Sequence, residues 1–153
     1  MSNPTQPWEQ LTTALVDTGV FIHWFRGDRY ALQFFRDPQR TLYYAKATRK
    51  ELLREPIRTA EATRIKAFLN RFRLVNPDDQ IAVKFSELVQ KYGYLRMHPA
   101  DALIAATAWD KNLPLLTSNT RHFLAIEEIT VIRFTPASFS EAQRLSPLGT
   151  RDW

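Results

Sequence analysis

Short apolar runs alternate with longer amphipathic stretches along most of the chain. Apolar and β-branched runs of about four to eight residues are typical of buried strands, whereas apolar residues spaced three and four apart indicate helices. Five segments predict strands: TALVD (13–17), RTLYYAK (40–46), FRLVNP (72–77), LPLLTSN (113–119) and ITVIRF (129–134). Because helical patterns separate them, we expect crossover connections and an α/β fold, a three-layer α/β/α sandwich with a mostly parallel central sheet.

The helical patterns lie between these strands. GVFIHWFRGD and RYALQFFRD follow the first strand, and ATRKELLRE follows the second. Two later apolar stripes have helical spacing: Ile65, Phe68, Leu69 and Phe72, then Ile81, Phe85, Leu88 and Tyr92. Gly93 is expected to end the second of these helices, and Pro99 to open the helix in HPADALIAATAWDKN.

The chain is expected to form one domain. Its 153 residues are enough to bury a core. We expect a flexible N-terminal tail over residues 1–12, the domain over residues 13–134, and a C-terminal tail or closing segment over residues 135–153.

Charge and composition restrict the kinds of binding partner, the kinds of site and the location that the sequence predicts. A net charge of +5 and a pI near 9.7 indicate a polyanionic partner, because cationic surfaces concentrate phosphates. The absence of cysteine excludes disulfides and thiolate metal sites. No apolar run approaches the roughly 18 residues of a membrane span, and the polar start MSNPTQPWEQ is unlike a signal peptide. We therefore expect a cytoplasmic protein that does not bind membranes.

Four polar residues lie where a parallel sheet would gather them. Asp17 ends the first predicted strand, and Glu51 lies on the helix after the second. Asp101 is in the first turn of its helix, and Asn119 follows the fourth strand. Ligands of open α/β sheets bind beyond the carboxyl ends of the strands, so these residues are the candidates for a shared site.

Each candidate also has a purely local explanation. Asp17 before Thr18 is a plausible helix N-cap, and a carboxylate such as Asp101 is favoured in a first helical turn. Glu51 alone would be an exposed helix residue, and Asn119 alone a turn former. Separate caps and turns have no reason to occur together at these four positions, so the joint pattern favours a site.

Three carboxylates in a small volume repel one another strongly unless a cation joins them. Mg²⁺ and Mn²⁺ prefer hard oxygen ligands, and Mg²⁺ usually takes only one or two carboxylates directly. Asp17 and Asp101 are the best direct ligands. Glu51 would bind a second ion or orient a water, and Asn119 would hold a water or an aspartate.

Four segments, in this order and spacing, resemble the motifs of PIN-domain proteins, and most closely the small ribonuclease toxins of the VapC type. They are LVDTGVFIHWFRGD, KELLRE, PADALIAATA and LLTSNTRHF. The resemblance covers the chain from about Ala14 to Ile132, and the ordered set is more specific than any single motif.

The resemblance implies a PIN-like domain that acts as a metal-dependent endoribonuclease, the toxin of a toxin–antitoxin pair. It implies Mg²⁺ or Mn²⁺ as cofactor, RNA as substrate, a cognate antitoxin protein and a homodimer. Transferred to matching positions, it makes Asp17, Glu51 and Asp101 the metal-binding acids and adds Asn119 to the catalytic set. Thr18 and Thr117 become supporting residues.

The ligand set implies a mechanism. A metal-bound hydroxide would attack phosphorus in line with the departing 3′ oxygen and leave a 5′-phosphate. Basic residues beside the motifs would bind the RNA backbone: Arg26, Lys50, Arg54 and Arg121.

Two positions depart from the family pattern. The family commonly has asparagine two residues after the first aspartate, where this chain has Gly19. Many members carry a further aspartate in the last motif, where this chain has Asn119 and then His122. The site would therefore contain three carboxylates, which makes a second metal ion less secure.

Three other functions compete with the nuclease. A haloacid-dehalogenase-like phosphatase or phosphotransfer domain requires DxD or an acidic cluster where this chain reads DTG. A flap-type DNA nuclease requires more chain than 153 residues provide. A catalytically weak PIN scaffold that binds RNA or a partner protein remains the alternative.

Overall fold

The computed structural model describes residues 6–137, apart from the side chain of Tyr94. Its strands are β1 (Thr13–Val16), β2 (Thr41–Ala45), β3 (Arg73–Val75), β4 (Leu115–Thr117) and β5 (Val131–Arg133). Its helices are α1 (Thr18–Phe25), α2 (Arg29–Arg36), α3 (Lys46–Leu52), α4 (Thr59–Leu69), α5 (Asp79–Tyr92) and α6 (Pro99–Lys111). No helix of this part of the chain is long and apolar enough to cross a membrane.

The five strands form one parallel sheet in the order β3-β2-β1-β4-β5. β1 lies at the centre, pairing Leu15 with Tyr43 of β2 on one side and with Leu115 of β4 on the other. The carboxyl ends of all described strands therefore lie at one edge of the sheet, the carboxyl edge. The predicted mostly parallel sheet is confirmed.

Helices cover both faces of the sheet. Ala14 and Val16 pack with α1, α2 and α4, whereas Leu15, which points to the opposite face, packs with α5 and α6. This alternation follows from the two-residue period of a strand, and it explains why TALV is apolar throughout. The predicted α/β/α sandwich is confirmed.

The first of these cores is rich in aromatic side chains. Phe21 of α1 lies with its ring centroid 5.1 Å from that of Phe35 and 6.2 Å from that of Phe68. The segment predicted as a flexible tail contributes to the same core, because Trp8 is 1% exposed and its ring lies 5.5 Å from Phe34. Burying so large an apolar ring ties this segment to the domain. Residues 1–5 of the predicted tail, and residues 138–153 of the predicted closing segment, lie outside the described residues.

Two helices end differently from their patterns. α4 ends at Leu69, so Phe72 of the predicted stripe lies beyond the helix, where its ring packs 5.0 Å from Phe68. α5 ends before Gly93 as expected, but Gly93 keeps a right-handed φ of −57°. The chain continues through a 3₁₀ turn over Gly93–Leu95, and Arg96 adopts the left-handed conformation with a φ of 53°.

Asp28, from the RGD segment, is fully buried and joins two parts of the chain. Its Oδ2 accepts a hydrogen bond from the Ala31 amide at 3.0 Å, which caps α2, and its Oδ1 accepts one from the Ala137 amide. Asp28 thereby holds the segment after β5 against the start of α2.

We expect Asp28→Ala to lower the free energy of unfolding by roughly 2–3 kcal/mol, because a helix cap is lost and two amides lose their acceptor. Asp28→Asn keeps one acceptor oxygen and should lose less. Urea unfolding monitored by circular dichroism measures both variants. A loss below about 0.5 kcal/mol in Asp28→Ala, the range of an ordinary surface substitution, would contradict this role.

Candidate functional site

Asp17 lies at the carboxyl edge, between β1 and α1, and is 7% exposed. Its Oδ1 accepts a hydrogen bond from the Thr18 amide at 2.9 Å, so Asp17 is the N-cap of α1. The local explanation of this residue is therefore correct. Capping involves only one of the two carboxylate oxygens, because Oδ2 is turned toward β4.

Thr117, the last residue of β4, meets Asp17 across the sheet. Its hydroxyl donates a hydrogen bond of 2.7 Å to Asp17 Oδ2 and accepts one of 3.0 Å from the Asn119 amide. Thr117 is fully buried, so both contacts are shielded from water. The structure thus brings Asp17, Thr117 and Asn119 together, as the resemblance implied.

Glu51 approaches the same place from α3. The Thr18 hydroxyl lies 2.9 Å from the Thr48 hydroxyl and 3.3 Å from Glu51 Oε1. Thr18 is buried and Glu51 is half-buried, one turn of α3 beyond Thr48. Thr18, the first residue of α1, therefore connects the Asp17 cap to the helix that follows the second strand through two hydroxyl contacts.

Asp101 projects from the first turn of α6 and contacts His122. The distance from His122 Nδ1 to Asp101 Oδ2 is 3.0 Å, and the Asn119 side-chain nitrogen lies 3.0 Å from the same imidazole nitrogen. The N-cap of α6 is His98, whose Nδ1 accepts a hydrogen bond from the Ala100 amide at 3.1 Å. Asp101 is thus oriented by the short turn after β4.

A continuous series of polar contacts joins the two aspartates. It runs from Asp17 through Thr117, Asn119 and His122 to Asp101. The Asn119 side-chain nitrogen lies 3.0 and 3.1 Å from the two imidazole nitrogens, and only one of the two contacts at His122 Nδ1 is a hydrogen bond, because that nitrogen cannot accept from Asn119 and donate to Asp101 together. A displacement of the turn after β4 would change the orientation of both carboxylates. The turn therefore positions the two residues that the sequence indicates as the best metal ligands.

The pKa values of Asp17 and Glu51 are both raised. Burial is the main cause that raises the pKa of Asp17 from 3.8 to about 6, with further increases from the negative charges of Asp101 and Glu51. Burial likewise raises the pKa of Glu51, and Asp101 adds to it. Each of the three acids therefore lies within electrostatic range of the others, in a place where a positive ion would relieve their repulsion.

The donor set fits a divalent cation of the magnesium class, since carboxylate, hydroxyl and amide oxygens are its preferred ligands. Within residues 6–137, no three acidic or histidine side chains are close enough to form a complete cage by themselves. Mg²⁺ usually keeps several waters and binds one or two carboxylates, so an incomplete cage agrees with its chemistry. Asp17 and Asp101 would hold the ion, with Glu51 acting through a water.

Gly19 has a structural reason in this chain. A Cβ built at this position would lie 2.7 Å from the Ser118 hydroxyl, closer than such atoms approach in proteins. A side chain at position 19 would therefore require Ser118 to rotate away. Gly19, where this chain departs from the family pattern, therefore leaves room for the side chain of Ser118.

The predicted RNA-binding cations differ in their distance from the acids. Lys50 and Arg54 are exposed near Glu51, Lys50 on α3 and Arg54 two residues beyond its end, and the Arg54 charge offsets part of the rise in the pKa of Glu51 that burial causes. Arg26 is the C-cap of α1, at the far end of an eight-residue helix and thus about 12 Å from Asp17 along its axis. Arg26 is therefore the least favourably placed of the predicted set.

Arg121 lines a groove that opens beside Asp101. The groove has a volume of about 290 Å³, and its polar lining comprises Arg96, His98, Asp101, Arg121 and His122. Its basic side chains face the candidate metal ligand, which is the arrangement that would hold a phosphate next to a bound cation.

Sequence patterns did not identify three contributors to this site. Thr48 faces Thr18, His98 caps α6, and His122 contacts Asp101. The position of Thr48 three residues before Glu51 was a usable signal, because residues three apart share a helix face. Nothing local distinguishes His122 from an ordinary surface histidine.

The sequence of this chain is similar to those of known PIN-domain proteins. The sequence model of the PIN domain matches residues 14–144. Ribonuclease VapC1 of Methanocaldococcus jannaschii is 32% identical over 117 residues, which cover 74% of this chain and 81% of that protein.

Solved structures share the fold. A chain in the crystal structure of VapBC2 from Rickettsia felis, bound to a DNA fragment from its promoter, superposes with a TM-score of 0.70 at 14% identity, covering 80% of this chain and 99% of that one. A chain of a toxin–antitoxin complex from Klebsiella pneumoniae superposes with a TM-score of 0.65 at 29% identity, covering 76% of this chain and 95% of that one.

Proposed function

Because the chain belongs to the PIN domain family, we propose that it is a ribonuclease of the VapC type, the toxin of a toxin–antitoxin pair. Its substrate is RNA, and its reaction is hydrolysis of a phosphodiester bond with Mg²⁺ or Mn²⁺ as cofactor. The similarity to a protein named ribonuclease VapC1 supports the reaction class. The proposed site comprises Asp17, Glu51, Asp101 and Asn119.

One observation carries the catalytic part of this proposal. Asp17 and Asp101, which are far apart in sequence, are oriented by the same turn through Thr117 and His122. Burying Asp17 beside two other negative charges costs the fold free energy, because burial and repulsion raise its pKa by more than the hydrogen bonds from Thr117 and Thr18 lower it. Such an arrangement is typical of sites that bind a cation and a phosphate.

The side chains divide the work of the reaction. A divalent ion, when bound, supplies a nucleophilic water at neutral pH and neutralises charge on the phosphate. Asp17 and Asp101 would hold that ion, and Thr117 keeps Asp17 Oδ2 in a fixed direction. Glu51, whose pKa is raised by burial, is able to accept a proton from the attacking water at Oε2. Arg121 and Lys50 attract the RNA backbone.

We further propose that a cognate antitoxin binds this chain and that the chain forms a homodimer. The Rickettsia and Klebsiella neighbours are chains of toxin–antitoxin complexes, which supports the first of these partners. The homodimer rests on the resemblance to VapC-type toxins.

A second candidate function is a catalytically weak PIN scaffold that binds RNA without cutting it. The observation that favours it is the lack of a complete cage of three acids or histidines in the described part of the chain. In that case His122, where many family members have a carboxylate, would leave the site one ligand short.

The two candidates are separated by assaying cleavage and metal binding together. Purified protein is incubated with single-stranded and structured RNA in Mn²⁺, in Mg²⁺ and in EDTA, alongside Asp101→Asn and the exposed control Asp79→Asn. We expect metal-dependent cleavage in the wild type and the control, and a loss of at least about a hundredfold in Asp101→Asn, since even outer ligands contribute 10–100-fold. Mn²⁺ should raise the melting temperature of the wild type more than that of Asp101→Asn.

Binding of RNA without cleavage, together with no shift in melting temperature by metal, would favour the scaffold. Equal cleavage by the wild type and Asp101→Asn would indicate a contaminating nuclease and overturn the proposed site.

A further inference from the structure

A second groove opens on the other side of the turn that follows β4. It has a volume of about 480 Å³ and lies between residues 118–121 and the end of β5. Its polar lining consists of Ser118, Asn119, Thr120, Arg121, Arg133 and Thr135. Among the described residues no acidic side chain lines it, so the charged side chains of its lining, Arg121 and Arg133, are both positive.

Arg133 is held in this groove by two features of the fold. It is the last residue of β5 and pairs in register with Thr117, the residue that contacts Asp17. The side chains of two residues that pair in a parallel sheet project from the same face of the sheet, so Arg133 projects from the same face as Thr117. One of its guanidinium nitrogens donates a 3.0 Å hydrogen bond to the hydroxyl of Thr120, which is 9% exposed.

The charge of Arg133 is not neutralised within the described residues. Neither Arg133 nor Arg121 has a carboxylate within salt-bridge distance there. A guanidinium fixed by a neutral hydroxyl keeps its remaining N–H groups and its full charge for an anion. A planar donor of this kind suits phosphate oxygens, which it can bind in a bidentate manner.

The groove is next to the proposed metal site. Along the carboxyl edge, Asp17 directly follows β1, Thr117 ends the neighbouring β4 and Arg133 ends β5 beyond it, so Arg133 is two strand spacings, or roughly 10 Å, from Asp17 at the backbone. Arg121 lines both this groove and the groove that contains Asp101. An RNA strand that crosses the turn at Arg121 would therefore pass from one groove into the other.

We infer that this second groove is a phosphate subsite, which binds an RNA backbone phosphate adjacent to the one that is cleaved. Arg133 is its fixed cation, and Arg121 is shared with the site of cleavage. The inference rests on the proposed ribonuclease function, because it names RNA as the occupant. It adds a residue that the sequence motifs do not include.

The test measures RNA binding in EDTA, where metal-dependent cleavage is absent. A fluorescently labelled single-stranded RNA of about 12 nucleotides is titrated at several salt concentrations. We expect Arg133→Gln to weaken binding roughly fivefold and to reduce the slope of log affinity against log salt by about 0.7, the value for one phosphate contact on a single strand. Arg133→Lys should restore the slope but only part of the affinity, since lysine lacks the planar donor.

Arg73→Gln is the matched control. Arg73 also lies on an edge strand and is exposed, but it begins β3 and so stands at the opposite edge of the sheet. It should leave both affinity and slope unchanged. Thr120→Val tests the hydrogen bond: it should weaken binding less than Arg133→Gln and leave the salt slope as in the wild type.

The outcomes distinguish this inference from the proposed function. Wild-type binding with an unchanged slope in Arg133→Gln overturns the subsite and leaves the nuclease proposal intact. Equal losses in Arg133→Gln and Arg73→Gln also overturn it, because they indicate a general effect of charge. Failure of the wild type to bind RNA contradicts both.

Discussion

Asp17→Asn should abolish RNA cleavage and at the same time stabilise the metal-free protein. The activity falls because the substitution removes a proposed metal ligand, and we expect a loss of at least about a hundredfold, more than an outer ligand contributes. The stability rises because asparagine removes a buried negative charge and still offers an oxygen to the Thr18 amide. Few substitutions of a purely structural residue change these two properties in opposite directions.

The gain in stability depends on pH in a defined direction. The pKa of Asp17 is raised from 3.8 to about 6 in the folded protein. Above pH 6 the carboxylate is ionised in both states, and folding carries the full penalty, roughly 3 kcal/mol. Below pH 3.8 the group is protonated in both states and the penalty disappears. The advantage of Asp17→Asn should therefore be largest at pH 7 and diminish as the pH falls through 6 toward 4.

Differential scanning calorimetry in EDTA at pH 7.5 and pH 5, combined with the cleavage assay, measures both effects. Asp79→Asn is the matched control, because Asp79 is an exposed carboxylate in the first turn of α5. A melting temperature of Asp17→Asn below that of the wild type at pH 7.5 would contradict the predicted gain in stability. Undiminished cleavage by Asp17→Asn would show that Asp17 is not an active-site residue.

Phe21→Ala should produce the largest loss of stability. Phe21 is fully buried on α1, and its ring contacts those of Phe35, Tyr44, Phe68 and Phe72. Truncating a buried phenylalanine leaves a cavity and costs about 3–5 kcal/mol, a large part of the 5–15 kcal/mol that stabilises a typical domain. Cleavage should fall as well, because α1 carries Asp17 at its N-terminus.

Urea unfolding and the melting temperature measure this effect, with Leu124→Ala as control. Leu124 is 62% exposed, so its truncation should change the free energy of unfolding by less than about 0.5 kcal/mol. A loss below about 1 kcal/mol in Phe21→Ala would mean that the aromatic core repacks around the gap and does not hold α1 in place.

The predicted elements follow from local physics. Strands and helices arise from steric preferences and from periods of two and 3.6 residues, which a short window of sequence displays. TALV and PADALIAATA are therefore found where the pattern places them. The alternation of strands with helices also predicted the parallel sheet and its carboxyl edge, and hence the neighbourhood of Asp17 and Asn119.

The contacts within that neighbourhood did not follow from local patterns. Whether Asp17 meets Thr117, 100 residues away, depends on β4 being the neighbour of β1 and on its register. The same order and register place Arg133 level with Thr117, although Arg133 belongs to no recognised motif. Strand order results from the packing of both cores at once, so no segment of the sequence contains it.

The sequence by itself determined the elements, the fold class and the family, and it named the acidic residues. Only the tertiary structure decided that Asp17 is both a helix cap and a neighbour of Thr117, that His122 orients Asp101, and that Trp8 belongs to the core. The physical reason is the range of the interactions. Backbone preferences act over a few residues, whereas hydrogen bonds and burial join residues that only the complete sheet and its helices bring together.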